Sequence, residues 1–296
     1  MGELSLGRVG VWTRDLDRLP MAEAQAAAAE LEQLGYPTLW LPEVIGREPM
    51  SHAALLLSAT TELVVGAGVA VIHARSPMAM QAGWKTLTEA FPGRFVLGLG
   101  VGVPGILEAV HDRPFGKPYS AMVEYLDAFE KVPYVAKRPK APLELVLAAL
   151  RPRLLGLAAE RTQGAMTYFT PVEHTVQARE LLGPDASLII EQAVVVEADP
   201  DAAREIGRRY MATYLQIPIY TDLLRGLGWS GADLEGPSDA LVDAIVAWGS
   251  PDDIAARVGE HLDAGADHVC LQAVPADPRA IPLDEYRALA PLARDL

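Results

Sequence analysis

Cysteine is all but missing from this sequence. One thiol, Cys270, serves 296 residues, which excludes an internal disulfide framework and a cysteine-built metal centre. Basic residues are also scarce. Lys and Arg number 25 against 39 Asp and Glu, a net charge of −14 at pH 7. Nucleic acid and anionic membrane both want a basic face, so neither is an expected partner, and any anion site has to be local. No apolar run reaches membrane-spanning length without a Gly, a Pro or a charge interrupting it. Met1–Leu19 carries charges throughout and has no apolar centre, so a signal peptide is not expected there and a cytoplasmic location is. Repeats, low-complexity segments and a G-x-S-x-G nucleophile motif are absent as well.

What is present is a long alternation of buried-strand and helix patterns. Half of the residues are hydrophobic, and the length suits one α/β barrel spanning residues 1–296. The clearest unit runs from Leu63 to Gly105. Leu63–Ile72 is apolar and β-branched, as a strand covered on both faces should be. Pro77 opens a helix carrying Met80, Trp84, Leu87 and Phe91 at spacings of three and four, and Pro92-Gly93 stops it. Phe95–Leu99 is the next strand. Two such strands joined by a helix are parallel with a right-handed crossover, and their ligands lie at the carboxyl ends.

Further strands are expected at Arg8–Trp12, Thr38–Leu41, Leu143–Ala148, Ala165–Phe169, Leu188–Val196 and His268–Ala273. Helical patterns separate them. Asp199 before Pro200 and Ser250-Pro251-Asp252-Asp253 are helix-start signatures. Ile217–Pro237 reads as an irregular insertion before the last strand, and Asp239–Trp248 as helix. The result is a single (β/α)8 TIM barrel with an insertion. Leu188–Val196 carries Glu191-Gln192 in its interior, which a simple core strand would not.

Gly100-Val101-Gly102-Val103-Pro104-Gly105 matches G-x-G-x-x-G after a strand. A dinucleotide fingerprint should open a long helix in the first βαβ unit. Here the strand is the fourth, and only Ile106–Val110 could be helical before Asp112, Pro114 and Gly116. A glycine turn that admits a flat ring is the better reading. His73, His111, His268 and Glu43 sit on separate segments without chelating spacing, so no metal site is expected. His52, His174 and His261 read as helix-surface residues, and Cys270 as a structural thiol. Six basic residues (Lys131, Lys137, Arg138, Lys140, Arg151, Arg153) gather against one acid, Glu144. They make either a solvated connection or a local anion site. Ala149-Leu150-Arg151-Pro152-Arg153 is the more specific part, since a helix start after a strand can cradle phosphate.

Taken in order, LGYPTLWLPE (34–43), VVGAGVAVIHARSP (64–77), GRFVLGLGVG (93–102), Lys117-Pro118 with Met122 and Glu124-Tyr125-Leu126, LAALRPRLLGLAAE (147–160), TYFTPVEH (167–174) and AGADHVCLQ (264–272) resemble the luciferase-like flavin and deazaflavin oxidoreductase superfamily, and its F420-dependent branch above all. The resemblance implies a bacterial-luciferase-like barrel with the cofactor ring across the strand ends, and it favours a homodimer. A bulge with a non-proline cis peptide, mapped onto Val71-Ile72, buttresses the ring in related proteins. Trp12, Ala70, Val71, Ile72, Gly100 and Gly102 are the ring-side positions on this mapping, and Ala149, Leu150 and Arg151 the phosphate-side ones. Relatives that oxidise sugar phosphates or alcohols often have Asp-His after strand two. This chain has Glu43-Val44, so that catalytic assignment does not transfer.

The expected activity is hydride transfer between deazaflavin C5 and a small organic substrate. The alternatives are an FMN-dependent monooxygenase on the same site and, in a different class, a cofactor-less binding protein. Glu43, His73 and His111 are the candidates for proton transfer, because each ends or follows a strand at the face where barrels keep catalytic groups. Each could equally only hydrogen-bond a loop.

Overall fold

Eight apolar runs pair side by side, all parallel, and close on themselves. In the computed structural model the described residues are 6–103, 105 and 116–295. The wall consists of β1 (Val9–Trp12), β2 (Thr38–Leu41), β3 (Val64–Val71), β4 (Phe95–Gly100), β5 (Glu144–Ala148), β6 (Gly164–Thr167), β7 (Ser187–Val195) and β9 (His268–Ala273). Closure comes from β6 on β7, with Gly164 opposite Ser187, and from β9 on β1, with Val269 opposite Val9. This is the expected (β/α)8 barrel.

Around it lie α1 (Met21–Leu34), α2 (Pro49–Leu57), α3 (Pro77–Ala90), α4 (Pro118–Glu130), α5 (Pro152–Arg161), α6 (Val172–Leu182), α7 (Pro200–Tyr214), α11 (Pro251–Asp263) and α12 (Leu283–Asp295). Their starts follow from local chemistry. Ser76 caps α3 ahead of Pro77, and Asp199 accepts from the Ala202 amide at 2.9 Å to cap α7. Ser250 and Asp253 form a reciprocal capping box on α11.

The insertion is more ordered than its sequence suggests. Residues 217–237 hold two short helices, α8 (Pro218–Gly226) and α9 (Gly231–Glu235). The expected helix over Asp239–Trp248 is instead α10 (Asp239–Ile245) followed by a strand, β8 (Val246–Trp248). β8 pairs with the second half of β7, Ala193 to Val195, on the edge whose first half pairs with β6.

Two apolar layers result. Trp40, Val96, Val146, Met166, Ile189 and Cys270 fill the barrel interior, and a larger cluster lies between wall and helices. Trp40 is completely buried, and its indole N–H donates to His268 Nε2 at 3.1 Å. His268 Nδ1 then donates to the Gly7 carbonyl at 2.7 Å. That sets His268 in the barrel floor, at the end away from the carboxyl termini of the strands.

The three helix histidines correct the surface reading, for all are buried. His52 sits between Asp17 and Arg47, and His174 Nε2 donates to the Leu150 carbonyl at 3.0 Å. His261 bridges Thr175 and Gln192, both at 2.8 Å. Gln192 explains itself here: it points outward and ties His261 and the Ile245 carbonyl to the wall. Burial pushes His261 down to about 3 and His268 down to about 4. An unfolded chain takes up these protons from pH 6.5 downward, whereas the folded one resists them, so stability falls as pH drops through that window. Urea unfolding should show a lower midpoint at about pH 4.5 than at about pH 7. In His261→Gln the drop should be shallower by close to one proton, roughly 1.4 kcal/mol per pH unit.

Candidate active site

The carboxyl ends of β3 and β4 meet around one irregularity. Pairing runs regularly from Val65–Phe95 to Ala67–Leu97, then resumes at Ala70–Leu99. Gly68 and Val69 together stand against the single residue Gly98, one residue more than a regular ladder, and the peptide between them is cis. The bulge therefore lies before Val71-Ile72, where the resemblance maps it. At Val71-Ile72 the chain is in register, with Val71 opposite Gly100 and the Ile72 amide on the Gly100 carbonyl at 2.9 Å. Ala70 and Ile72 turn their side chains into the layer beneath the helices. Val69 is the residue offered to the interior and the mouth.

Glycines in β4 make this possible. A Cβ on Gly98 would lie 2.2 Å from the Ala67 carbonyl oxygen, and one on Gly100 would lie 2.4 Å from Val69 Cγ2. The run Gly98-x-Gly100 thus admits the bulged strand, and Gly102 turns the chain away at φ 78°. The signal for the bulge was Gly68 itself, a glycine inside an otherwise apolar strand.

Two side chains hold the bulge from below and beside. Trp12 ends β1 and donates its indole N–H to the Gly68 carbonyl at 2.8 Å. Glu43, in the loop after β2, donates its amide to the Val69 carbonyl at 3.2 Å and accepts from the Val71 amide at 2.6 Å. Both of its carboxylate oxygens also meet the Arg75 guanidinium. Arg75 pairs further with Glu48 at 3.1 Å, which ties it to this brace. His73 lies half-buried in the turn after β3. His111 lies outside the described residues. Glu43 and His73 thus flank the end of β3, with Glu43 fully committed to the brace.

Beside β4 on the same rim, the end of β5 leads into α5. The Ala149 amide bonds the Met166 carbonyl at 3.0 Å, Leu150 offers its carbonyl to His174, and Arg151 is the half-buried N-cap. Leu150, Arg151, His174 and Leu223 border a cavity of about 150 Å³ beside this helix start. The Arg153 guanidinium stacks on the Tyr119 ring, 3.8 Å from its centroid. The basic connection upstream is solvated where Lys137 stands, paired with Glu89 on the surface.

The third side of the mouth was not anticipated. Tyr168 follows β6 and packs on Trp12 with ring centroids 5.0 Å apart. Its hydroxyl meets those of Tyr214 at 2.5 Å and Gln272 Oε1 at 2.7 Å. Tyr210, Tyr214 and Tyr220 of α7 and α8 close around Phe169. Behind them is Glu191. Tyrosines scattered over three elements leave no spacing pattern, so only the unexplained Glu191-Gln192 hinted at this wall. Among the described residues no group of His, Cys, Asp and Glu is arranged to hold a metal ion.

The family model for luciferase-like monooxygenases matches residues 2–268. A Mycobacterium tuberculosis protein provisionally named a coenzyme F420-dependent oxidoreductase is 30% identical over 159 residues, which cover 54% of this chain and 44% of that protein. The chain thus spans less than half of that relative. An F420-dependent secondary alcohol dehydrogenase, solved with an F420–acetone adduct, superposes with a TM-score of 0.78 at 15% identity, covering 98% of this chain and 99% of that one. The oxygenating constituent of 3,6-diketocamphane monooxygenase from Pseudomonas putida, solved with FMN, gives 0.73 at 16% identity over 97% of each chain. At such identities the likeness is one of fold. The family match goes further, and by it the chain belongs to the luciferase-like monooxygenase family.

Proposed function

We propose that this chain is a coenzyme F420-dependent oxidoreductase moving a hydride between the deazaflavin C5 and a small organic substrate. The observation that carries the reading is the bulge at Gly68–Val69, braced by Trp12 and Glu43, with a helix start headed by Arg151 two strands away on the same rim. A flat ring against Val69 and a phosphate at Arg151 would use both features. When bound, the deazaflavin supplies hydride chemistry. The chain's own residues then do three things. Val69 backs the ring, Glu43 and Arg75 keep the bulge from relaxing, and Arg151 with the Arg153 amide takes the phosphate, the Leu154 and Leu155 amides being held by the Arg151 carbonyl. His73 and His111 remain the imidazole candidates for proton transfer.

The name of the Mycobacterium tuberculosis relative supports F420 over FMN. So does the second arginine, Arg153, since the F420 tail is the more acidic of the two. An FMN-dependent monooxygenase is the second reading, favoured by the likeness to the FMN-bound Pseudomonas putida protein. Titration of the purified chain with F420, FMN and NADPH separates them. F420 is expected to bind best, and NADPH weakly or not at all. Micromolar NADPH affinity with no F420 binding would overturn the proposal.

The phosphate contact has its own test. The protein's net charge of −14 repels an acidic cofactor at long range, so a short-range attraction has to prevail. A charge-assisted hydrogen bond contributes about 1.5–3 kcal/mol. Arg151→Ala should therefore weaken F420 binding by about tenfold or more, at ~1.4 kcal/mol per decade. Lys137→Ala, on the surface, should change it little. Equal and negligible losses would place the phosphate elsewhere.

A further inference from the structure

Glu191 is a carboxyl that the cofactor mapping does not use. It lies at the middle of β7, opposite Cys270 of β9, and is 2% exposed. One oxygen accepts from the Phe169 amide at 3.1 Å, and Phe169 adopts a left-handed φ of 57° to offer it. The other oxygen, Oε1, is buried and has no hydrogen-bond partner among the described residues. An ionised carboxylate left this way would be costly, whereas a neutral acid is tolerated.

The groups facing it come from four elements. Tyr168 follows β6, Tyr210 and Tyr214 lie on α7, Tyr220 on α8 and Cys270 on β9. None is basic. Burial pushes Glu191 up to about 8, with the Phe169 amide and the Tyr210 hydroxyl pulling the other way. From Glu191 a file of hydroxyls leads outward. Tyr210 lies beside the carboxyl, its hydroxyl is 3.5 Å from that of Tyr168, and Tyr168 is half-buried against Trp12, which holds the bulge.

We propose that Glu191 is the proton reservoir of the hydride-transfer site, exchanging the proton that accompanies the hydride through the hydroxyls of Tyr210 and Tyr168. The inference rests on the function proposed above. Hydride addition to a C=O or activated C=C breaks the π bond, forms a C–H bond and leaves an anion that needs one proton. Tyr168 gives its proton to that anion, Tyr210 refills Tyr168, and Glu191 refills Tyr210 and ends as a carboxylate. In the oxidative direction the same protons run inward and Glu191 ends neutral. Glu191 acts through the tyrosines, so it is a positioning residue for the proton and not one that touches the reacting atoms.

Infrared difference titration of the purified chain, with no cofactor added, gives the first reading. A carbonyl band of a protonated carboxyl should vanish with a midpoint near about pH 8 and be missing from Glu191→Gln. Absence of that band, or its survival in the variant, overturns the proposal. The second reading is the reduction potential of bound F420, or of FMN if that binds better, followed from about pH 6 to about pH 10. A reservoir linked to the redox state of the ring has different midpoints in the oxidised and reduced proteins, and the plot bends between them. The bend should be lost in Glu191→Gln and kept, though displaced, in Glu191→Asp. Identical slopes in all three proteins would mean a purely structural carboxyl and overturn the proposal. Failure to bind either cofactor is a distinct outcome, visible in the titration before any potential is measured. It overturns the proposed function and the reservoir with it.

Discussion

Gly98→Ala should cost this protein at least about 3 kcal/mol and most of its cofactor affinity. Overpacking a close-packed interior costs about 1–3 kcal/mol when side chains can shift. At Gly98 the obstruction is backbone: the new methyl would lie 2.2 Å from the Ala67 carbonyl oxygen. Either β3 or β4 has to move, and the part of β3 that moves is the start of the bulge. Gly100→Ala meets Val69 Cγ2 at 2.4 Å, a side chain that can swing. It should lose less stability while still displacing the residue that would back the ring. Gly105→Ala meets nothing within 4 Å of the added carbon among the described residues and should stay within about 0.5 kcal/mol of the parent. Urea unfolding and F420 titration of the three variants check the order. A Gly98→Ala protein with parental stability would show that the two strands are not locked as described.

Glu191→Gln should be more stable than the parent in alkali, and not in acid. The unfolded chain ionises this carboxyl at the ordinary 4.5, while the folded chain keeps it protonated to about pH 8. Between those values the folded state holds the extra proton, so this carboxyl takes stability from the parent as pH rises, opposing the trend from His261 and His268 below pH 6.5. The loss is on the order of a few kcal/mol by about pH 9, at roughly 1.4 kcal/mol per unit. Glutamine resembles the neutral acid in shape and can accept from the Phe169 amide, but it has no proton to lose. The two unfolding curves should therefore nearly coincide at about pH 5 and separate steadily above it. Parallel curves from about pH 5 to about pH 9 would mean that Glu191 is ionised throughout.

The order of strands and helices was readable because each parallel strand is buried on both faces and appears as an unbroken apolar run. Proline- and serine-led starts such as Asp199-Pro200 and Ser250-Pro251 fixed several helix ends. An apolar run says nothing of register, however, so it could not correct the resemblance, which maps the bulge onto Val71-Ile72 while it lies at Gly68–Val69. β8 was unreadable for a related reason. Leu241, Val242, Ile245 and Val246 continue a helical period straight into the strand. His52, His174 and His261 were misread because their partners, Asp17, the Leu150 carbonyl and Gln192, are distant in sequence. Of the candidate site, Trp12, Glu43 and Arg151 were legible as strand-end or helix-start residues. The tyrosine wall was not, for nothing local marks it.

The sharing of one β7 edge between β6 and β8 divides the rim of the barrel into two kinds of material. On the side of β3 and β4 the rim is locked by backbone, since glycines, bulge and brace fit one another and a change in one demands changes in the others. On the side of β7 the upper seam is closed by residues 199–248, helix α7 together with the insertion and β8, and these helices lean on the barrel mainly through side chains. On the function proposed above, exchanging that piece between barrels should change selectivity for the reacting partner, provided that Tyr210 of the proposed proton route is kept. The ring-side half would be left untouched, as a tool keeps its handle when its jaw is exchanged.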